Sequence, residues 1–166
     1  PFEHQDIDKW RDSLHHGLVS RYKDTNIILS GGIDDIWFNT KNNKLVIADY
    51  KSQAKKKEKL NTNDYLSDVY HQGYKNQLEF YSFLLVSMGF EVDNVGYFVV
   101  CNVNTEVDNF NQVMEFDELL VPYTLNPSWI PSKVEEMINT LNSHIMPKSN
   151  PSCMNCAYDN QRKAYE

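Results

Sequence analysis

The sequence has 166 residues, of which 41% are hydrophobic and 23% charged, and this length and mixture predict one soluble domain with its own core over residues 1–166. No run approaches the roughly 20 consecutive apolar residues of a membrane span, and three cysteines are too few for a disulfide framework. These features favour a cytoplasmic protein with no membrane partner. A net charge of −7 argues against one broad basic surface, so any phosphate-binding charge must be local.

The pattern of apolar residues predicts eight elements, in the order helix, three strands, long helix, two strands and helix. They span residues 8–21, 26–30, 33–38, 45–50, 63–89, 95–103, 112–116 and 132–145. The strands are short runs of β-branched and aromatic residues, separated by glycines, polar turns or prolines. This order predicts an α/β fold in which a mixed central sheet of about five strands is flanked by helices.

Residue spacing and end signals indicate the two helices of the first half. Trp10, Leu14 and Leu18 recur every four residues in the first helix. In the long helix Asn63 is a suitable N-cap and Gly89 a suitable stop. Its apolar and aromatic positions recur at steps of three and four and share one face, which includes Leu66, Val69, Tyr70, Tyr74, Gln77, Tyr81, Leu84, Leu85 and Met88.

Two carboxylates fall on neighbouring predicted strands. Asp34 and Asp49 belong to strands that a short hairpin joins, so their side chains can converge at one end of the sheet. Carboxylate oxygens are the ligands that a hard cation such as Mg²⁺ prefers, and the Tyr50 backbone carbonyl is a third candidate oxygen. Lys51 shares a strand face with Asp49 because strand side chains alternate. The sequence therefore predicts a metal site with a lysine beside it.

Such a site suits phosphodiester hydrolysis. A divalent cation polarises the phosphate and acidifies a water, and a second positive charge stabilises the negative charge that grows on the phosphoryl oxygens. Lys51 is the candidate for that charge. The nearby carboxylates favour its protonated form, so electrostatic stabilisation and water positioning are the roles expected of it rather than general-base catalysis.

The ordered set from Gly31 to Tyr81 resembles the RecB-type branch of the PD-(D/E)XK nucleases. That branch carries the patterns G-x-x-D, D-Y-K-T and Q-x-x-x-Y, and this chain has Gly31 to Asp34, then Asp49 to Ser52, then Gln77 to Tyr81. The resemblance implies a restriction-endonuclease-like fold and an exonuclease-like, metal-dependent deoxyribonuclease. It implies Mg²⁺ or Mn²⁺ as the cofactor and single- or double-stranded DNA as the partner.

The resemblance also implies roles for individual residues. Asp34 and Asp49 would bind the metal with help from the Tyr50 carbonyl, and Lys51 would be catalytic. Gln77 and Tyr81 would serve the nucleic-acid side of the site. Independently of the family, these last two residues lie one helical turn apart, and a glutamine within an apolar stripe needs a polar partner.

Several alternatives stay open at this point. Asp35 rivals Asp34, and only the family spacing favours Asp34. Many members of the branch place a histidine ligand before the first carboxylate. His4, His15 and His16 all qualify by their order in the chain and His4 is preferred, although a surface histidine is the commoner case for each. The lysine-rich segment 51–59 is either a solvated loop or a phosphate contact. The whole fold can also persist as an inactive nucleic-acid-binding or interaction module.

A C-x-x-C tail at about residues 147–166 contains Cys153 and Cys156. In some RecB-type relatives a similar tail helps to hold an iron–sulfur cluster. That cluster takes four cysteines and this sequence has three, so a complete cluster is not expected from this chain alone. A second metal site, with zinc bound by these two thiols and further ligands such as His144, competes with the simpler interpretation of two structural thiols.

Overall fold

The computed structural model describes residues 1–55, 61–106, 112–163 and 165. The chain divides into two compact units, Pro1–Ser128 and Trp129–Glu166. The first unit contains the strands β1 Leu18–Arg21, β2 Ile28–Gly31, β3 Asp35–Asn39, β4 Lys44–Gln53, β5 Val95–Val103 and β6 Phe116–Thr124. Its helices are α1 Ile7–Arg11, α2 Thr62–Ser67 and α3 Gln72–Ser87, with a 3₁₀ turn at Val69–His71 between the last two. The second unit contains α4 Ile130–Leu141 and α5 Met154–Lys163.

The main sheet has the strand order β3-β4-β5-β6. The β4–β5 pair is parallel and the two outer pairs are antiparallel, so the sheet is mixed as expected. A buried run from Leu45 to Asp49 makes β4 a central strand, and β5 alternates between buried and half-buried positions. The core of this unit includes Ile36, Ile47, Leu78, Leu84, Leu85, Phe98, Val100 and Val121. The predicted α/β class is confirmed, with four strands in this sheet and two more in a separate hairpin.

The predicted helix 8–21 is wrong beyond Arg11. The carboxylate of Asp12 accepts hydrogen bonds from the backbone amides of Leu14 and His15, which offers the backbone an alternative to helical bonding. Gly17 then adopts a φ of +101°, and a Cβ there would lie 2.8 Å from the carbonyl oxygen of Gly31. This glycine allows the chain to enter β1, which pairs with β2 as an antiparallel hairpin.

The long helix predicted over 63–89 is divided in two. Its N-cap is Asn61 rather than Asn63, because the Asn61 side chain accepts the amide of Asp64. Asp68 ends α2 in an extended conformation, and its carboxylate caps the next turn by accepting the amide of Tyr70. The predicted apolar stripe therefore breaks at Val69 and Tyr70, which are exposed. The expected stop at Gly89 is confirmed by its φ of +95°.

The later elements have the predicted types, and some of them differ from the prediction in extent. The strand predicted over 95–103 is confirmed as β5, whereas the strand predicted over 112–116 begins only at Phe116 and pairs with all of β5. Pro122 is tolerated in it because β6 is an edge strand. The final predicted helix corresponds to α4, and the C-x-x-C tail, for which no helix was predicted, contains α5. Over the described ranges, no helix combines the length and apolarity that a membrane crossing requires.

Candidate active site

Asp49 is a fully buried carboxylate at the centre of the main sheet. Its exposed fraction is 0%, and within residues 1–55, 61–106, 112–163 and 165 no backbone amide, hydroxyl or side-chain amide donates a hydrogen bond to either of its side-chain oxygens. The Lys51 ammonium lies in ion-pair contact with one of these oxygens. Burial raises the pKa of Asp49 to about 6, an effect that Lys51 opposes and the Asp34 charge reinforces. Such a carboxylate accommodates a cation readily.

Lys51 is held in place by three groups. It lies two residues after Asp49 on the same face of β4, as the alternation predicts. Its Nζ atom donates a hydrogen bond to Oε1 of Gln77 at 3.3 Å and lies 4.7 Å from the centre of the Tyr74 ring. A carboxylate, an amide oxygen and an aromatic face thus all contact this ammonium group. The lysine is therefore a fixed positive charge beside Asp49.

Gln77 and Tyr81 continue this network from α3. Nε2 of Gln77 donates to the hydroxyl oxygen of Tyr81 at 2.6 Å, so one amide joins Lys51 to the tyrosine. The Tyr81 side chain is buried in the core, and its Cε1 atom lies where a Cβ on Gly31 would approach to 2.9 Å. Gly31 therefore leaves the space that this ring occupies. The contact with nucleic acid expected for Gln77 and Tyr81 stays a prediction, and what the structure adds is their link to Lys51.

Asp34 and Asp35 have different surroundings. An Asp34 oxygen accepts a hydrogen bond from the backbone amide of Tyr50 at 2.8 Å. The negative charge of Asp34 also acts to raise the pKa of Asp49. Asp35 instead forms an ion pair with Arg11 and accepts Nε1 of Trp37 at 3.0 Å. Burial acts to raise the pKa of Asp35, but the bond from Arg11 and its other hydrogen bonds outweigh burial and lower it. These contacts favour Asp34 over Asp35 as the second carboxylate of the site.

The other candidate ligands each have contacts of their own. His4 stacks on Trp10 with ring centres 4.3 Å apart and accepts the amide of Asp6 at its Nδ1 atom, so packing and a hydrogen bond already account for it. In the second unit, hydrogen bonds from Cys156, chiefly its backbone amide, lower the pKa of the Cys153 thiol. Both tail cysteines and Cys101 are free thiols. No cluster of three or more His, Cys, Asp or Glu side chains suited to a metal occurs in the described part of the chain.

Three polar groups near the site were missed by sequence reasoning. The Tyr65 ring packs against Phe98, and the His71 ring stacks on Tyr74. The Asn102 side chain bonds both the amide and the carbonyl of Lys55, at 2.8 and 2.9 Å, and so fixes the chain where it leaves β4. A buried asparagine in the apolar run of β5 was a usable signal. Of the lysine-rich segment, Lys55 bonds Asp68 at 2.6 Å, and residues 56–60 lie outside the described ranges.

A mixed α/β sheet with a buried carboxylate, a second carboxylate and a lysine at one place has the architecture of the metal-dependent nucleases. The family model of the PD-(D/E)XK nuclease superfamily matches residues 3–161, and the chain belongs to this superfamily. Its members are generally nucleases that use divalent metals such as Mg²⁺, so the family implies a nucleic-acid substrate. No curated protein and no solved structure matches the chain.

Proposed function

We propose that the protein is a divalent-metal-dependent deoxyribonuclease of the RecB-type, exonuclease-like kind. It would hydrolyse the phosphodiester bonds of DNA in an active site formed by Asp34, Asp49 and Lys51. The observation that supports this most is Asp49, a carboxylate with no exposed surface, with the Lys51 ammonium in contact and the charge of a second carboxylate, Asp34, acting on it. A single lysine beside two neighbouring carboxylates leaves negative charge in a buried place, so a cation site is the natural explanation of this arrangement.

The donor set fits Mg²⁺ or Mn²⁺. Asp34 and Asp49 would hold the ion, and the Tyr50 carbonyl is the proposed third protein ligand. Two carboxylates suffice for this class of ion, because Mg²⁺ usually keeps several waters and takes few protein ligands. When bound, the ion would polarise the phosphate and acidify a water. His4 remains a proposed further ligand, and Cys153 with Cys156 remain a proposed second metal site.

The residues of this chain would then supply charge and orientation. Lys51 would neutralise the charge that develops on a phosphoryl oxygen, which requires it to be protonated and correctly directed. Gln77 and Tyr81 would direct it, since the amide bonds Lys51 at one end and the tyrosine hydroxyl at the other. A direct contact of these two residues with DNA, and a cytoplasmic location, remain part of the proposal.

The test is cleavage of linear, circular and single-stranded DNA with Mg²⁺, with Mn²⁺ and with a chelator. We expect cleavage only with the ions, and only of substrates with free ends. Lys51→Ala should lower the rate roughly 100-fold or more while ion binding persists, and Asp49→Ala should remove both. Lys44→Ala is the matched control, because Lys44 lies on β4 at the opposite end from the site.

The outcomes separate the alternatives. Full activity in Lys51→Ala would refute the role of that lysine. Attack on circular DNA would show endonuclease action. DNA binding without cleavage under any ion would replace the proposal with the inactive nucleic-acid-binding module. Calorimetric titration with Mn²⁺ completes the set, because a chain that binds no divalent ion cannot act by this chemistry.

A further inference from the structure

Tyr65 has a buried hydroxyl that the proposed chemistry has not yet used. Its side chain is 4% exposed, and its hydroxyl oxygen has no hydrogen-bond partner among the residues that the structure describes. Buried tyrosines normally find a partner for this group. Elsewhere in the same unit the rule is followed, since the Tyr123 hydroxyl donates to Glu79 at 2.6 Å. The missing partner of Tyr65 therefore requires an explanation.

The Tyr65 ring lies on the same face of the sheet as Asp49. It packs against Phe98 with ring centres 5.4 Å apart, and Phe98 is the partner of Asp49 in the β4–β5 register. Residues paired in this way present their side chains to one face. His71 holds the ring from a second direction, with ring centres 4.1 Å apart and its Nδ1–H donating to the Tyr65 carbonyl oxygen at 2.8 Å. The hydroxyl is therefore held inside the fold.

The Tyr65 hydroxyl and the Asp49 carboxylate are complementary in chemistry. Burial is the main cause that raises the pKa of Tyr65 far above its usual value, and the Asp49 charge raises it further. The hydroxyl thus keeps its proton and can donate, whereas an ionised carboxylate can only accept. The Tyr65 hydroxyl is a buried donor without an acceptor among the described residues, and the Asp49 carboxylate, whose contact there is the Lys51 ammonium, has acceptor capacity left over. A water between them would satisfy both.

We propose that Tyr65 is a positioning residue, whose hydroxyl donates a hydrogen bond to a water that is ordered at the Asp49 carboxylate when a divalent cation occupies the site. This inference rests on the proposed metal site, and it adds a residue that would orient a water molecule at that site. Outer groups of this kind tune metal affinity by roughly 10- to 100-fold when they are removed.

The experiment compares ion binding and ion-free stability in three proteins. Mn²⁺ affinity is measured by calorimetric titration and Tm in the presence of a chelator, for the wild type, Tyr65→Phe and Tyr22→Phe. Tyr65→Phe retains the ring that packs on Phe98 and removes only the hydroxyl. Tyr22 is also buried but lies at the end of the β1–β2 hairpin, so Tyr22→Phe controls for the loss of a buried hydroxyl in general.

We expect Tyr65→Phe to bind Mn²⁺ about tenfold more weakly while its ion-free Tm equals or exceeds that of the wild type, because the hydroxyl has no partner to lose. Tyr22→Phe should bind Mn²⁺ as the wild type does. Unchanged affinity in Tyr65→Phe, or a fall in affinity accompanied by a fall in ion-free Tm, would overturn the inference alone. A wild type that binds no Mn²⁺ would overturn the proposed function and this inference with it.

Discussion

The raised pKa of Asp49 predicts that the ion-free protein loses stability as the pH rises. The perturbation is a change from pH 4.5 to pH 7.5 in the presence of a chelator. Burial holds the folded-state pKa at about 6, against a usual value of 3.8, so between these values the folded chain binds a proton that the unfolded chain releases. The free energy of unfolding must therefore fall as the pH rises through this window. Below the lower value both states are protonated and the effect disappears.

The magnitude follows from the two pKa values. One pKa unit corresponds to about 1.4 kcal/mol, so the complete effect is about 3 kcal/mol, and about 2 kcal/mol of it falls between pH 4.5 and 7.5. For a chain of this length that change lowers Tm by roughly 4 to 8 °C. Asp35 and Asp68 have lowered pKa values, so the stability they contribute is lost only below about pH 4. They do not oppose the effect in this window.

The assay is thermal unfolding at several pH values, for the wild type and for Asp49→Asn. The substitution keeps the shape and removes the titrating group, so the difference between the two Tm curves isolates Asp49 from the histidines. We expect the wild type to lose the predicted increment relative to Asp49→Asn as the pH rises, and Mg²⁺ to restore part of it at pH 7.5. Parallel Tm curves for the two proteins would refute the reasoning, because they would show that Asp49 is not buried as a charge.

Three further predictions concern the supporting residues. Gly31→Ala should destabilise the fold by about 1–3 kcal/mol and lower the cleavage rate, because its Cβ would lie 2.9 Å from a Tyr81 ring atom; Tm and single-turnover rates measure this. Gln77→Leu should lower kcat with little change in Mn²⁺ affinity, which parallel kinetics and calorimetry would show, and an unchanged kcat would contradict its orienting role. If Cys153 and Cys156 hold zinc, their double serine variant should lose it in elemental analysis, and equal metal content would rule out that second site.

The correct predictions of the fold came mostly from the residue patterns of the strands. Val95 to Val103 is a long run rich in β-branched residues, and its limits coincide with β5. The apolar run that led to the predicted strand 45–50 lies within β4, whose buried part it matches up to Asp49. The spacing of Asp49 and Lys51 predicted a shared face, and the Lys51 contact with that carboxylate is what this geometry requires. The local pattern of apolar residues was sufficient to predict these strands, because in them the apolar side chains are the ones that the fold buries.

The errors occurred where a short polar side chain competes with the helix. Trp10, Leu14 and Leu18 have helical spacing, yet Leu14 is exposed and Leu18 begins a strand. Periodicity does not reveal that Asp12 and Asp68 bond nearby backbone amides and interrupt the helices there. The same limit applies to the site. The link from Lys51 through Gln77 joins β4 to α3, a contact between positions 26 residues apart.

The distribution of unsatisfied polar atoms separates the candidate site from ordinary buried polarity. Other buried polar groups have partners, as Glu79 does with Tyr123 and Asn102 does with the backbone of Lys55. Within the described ranges, the exceptions are the Tyr65 hydroxyl, which has no hydrogen-bond partner, and the Asp49 carboxylate, whose contact is the charged Lys51. Because a buried hydroxyl without a partner and a buried carboxylate both oppose folding, their occurrence at one face of the sheet supports the proposed ion site. The superfamily generally uses divalent metals, so a divalent ion is the simplest candidate for the group that binds there. Because an ion that binds only the folded state stabilises it, the difference in Tm with and without the ion tests this site directly.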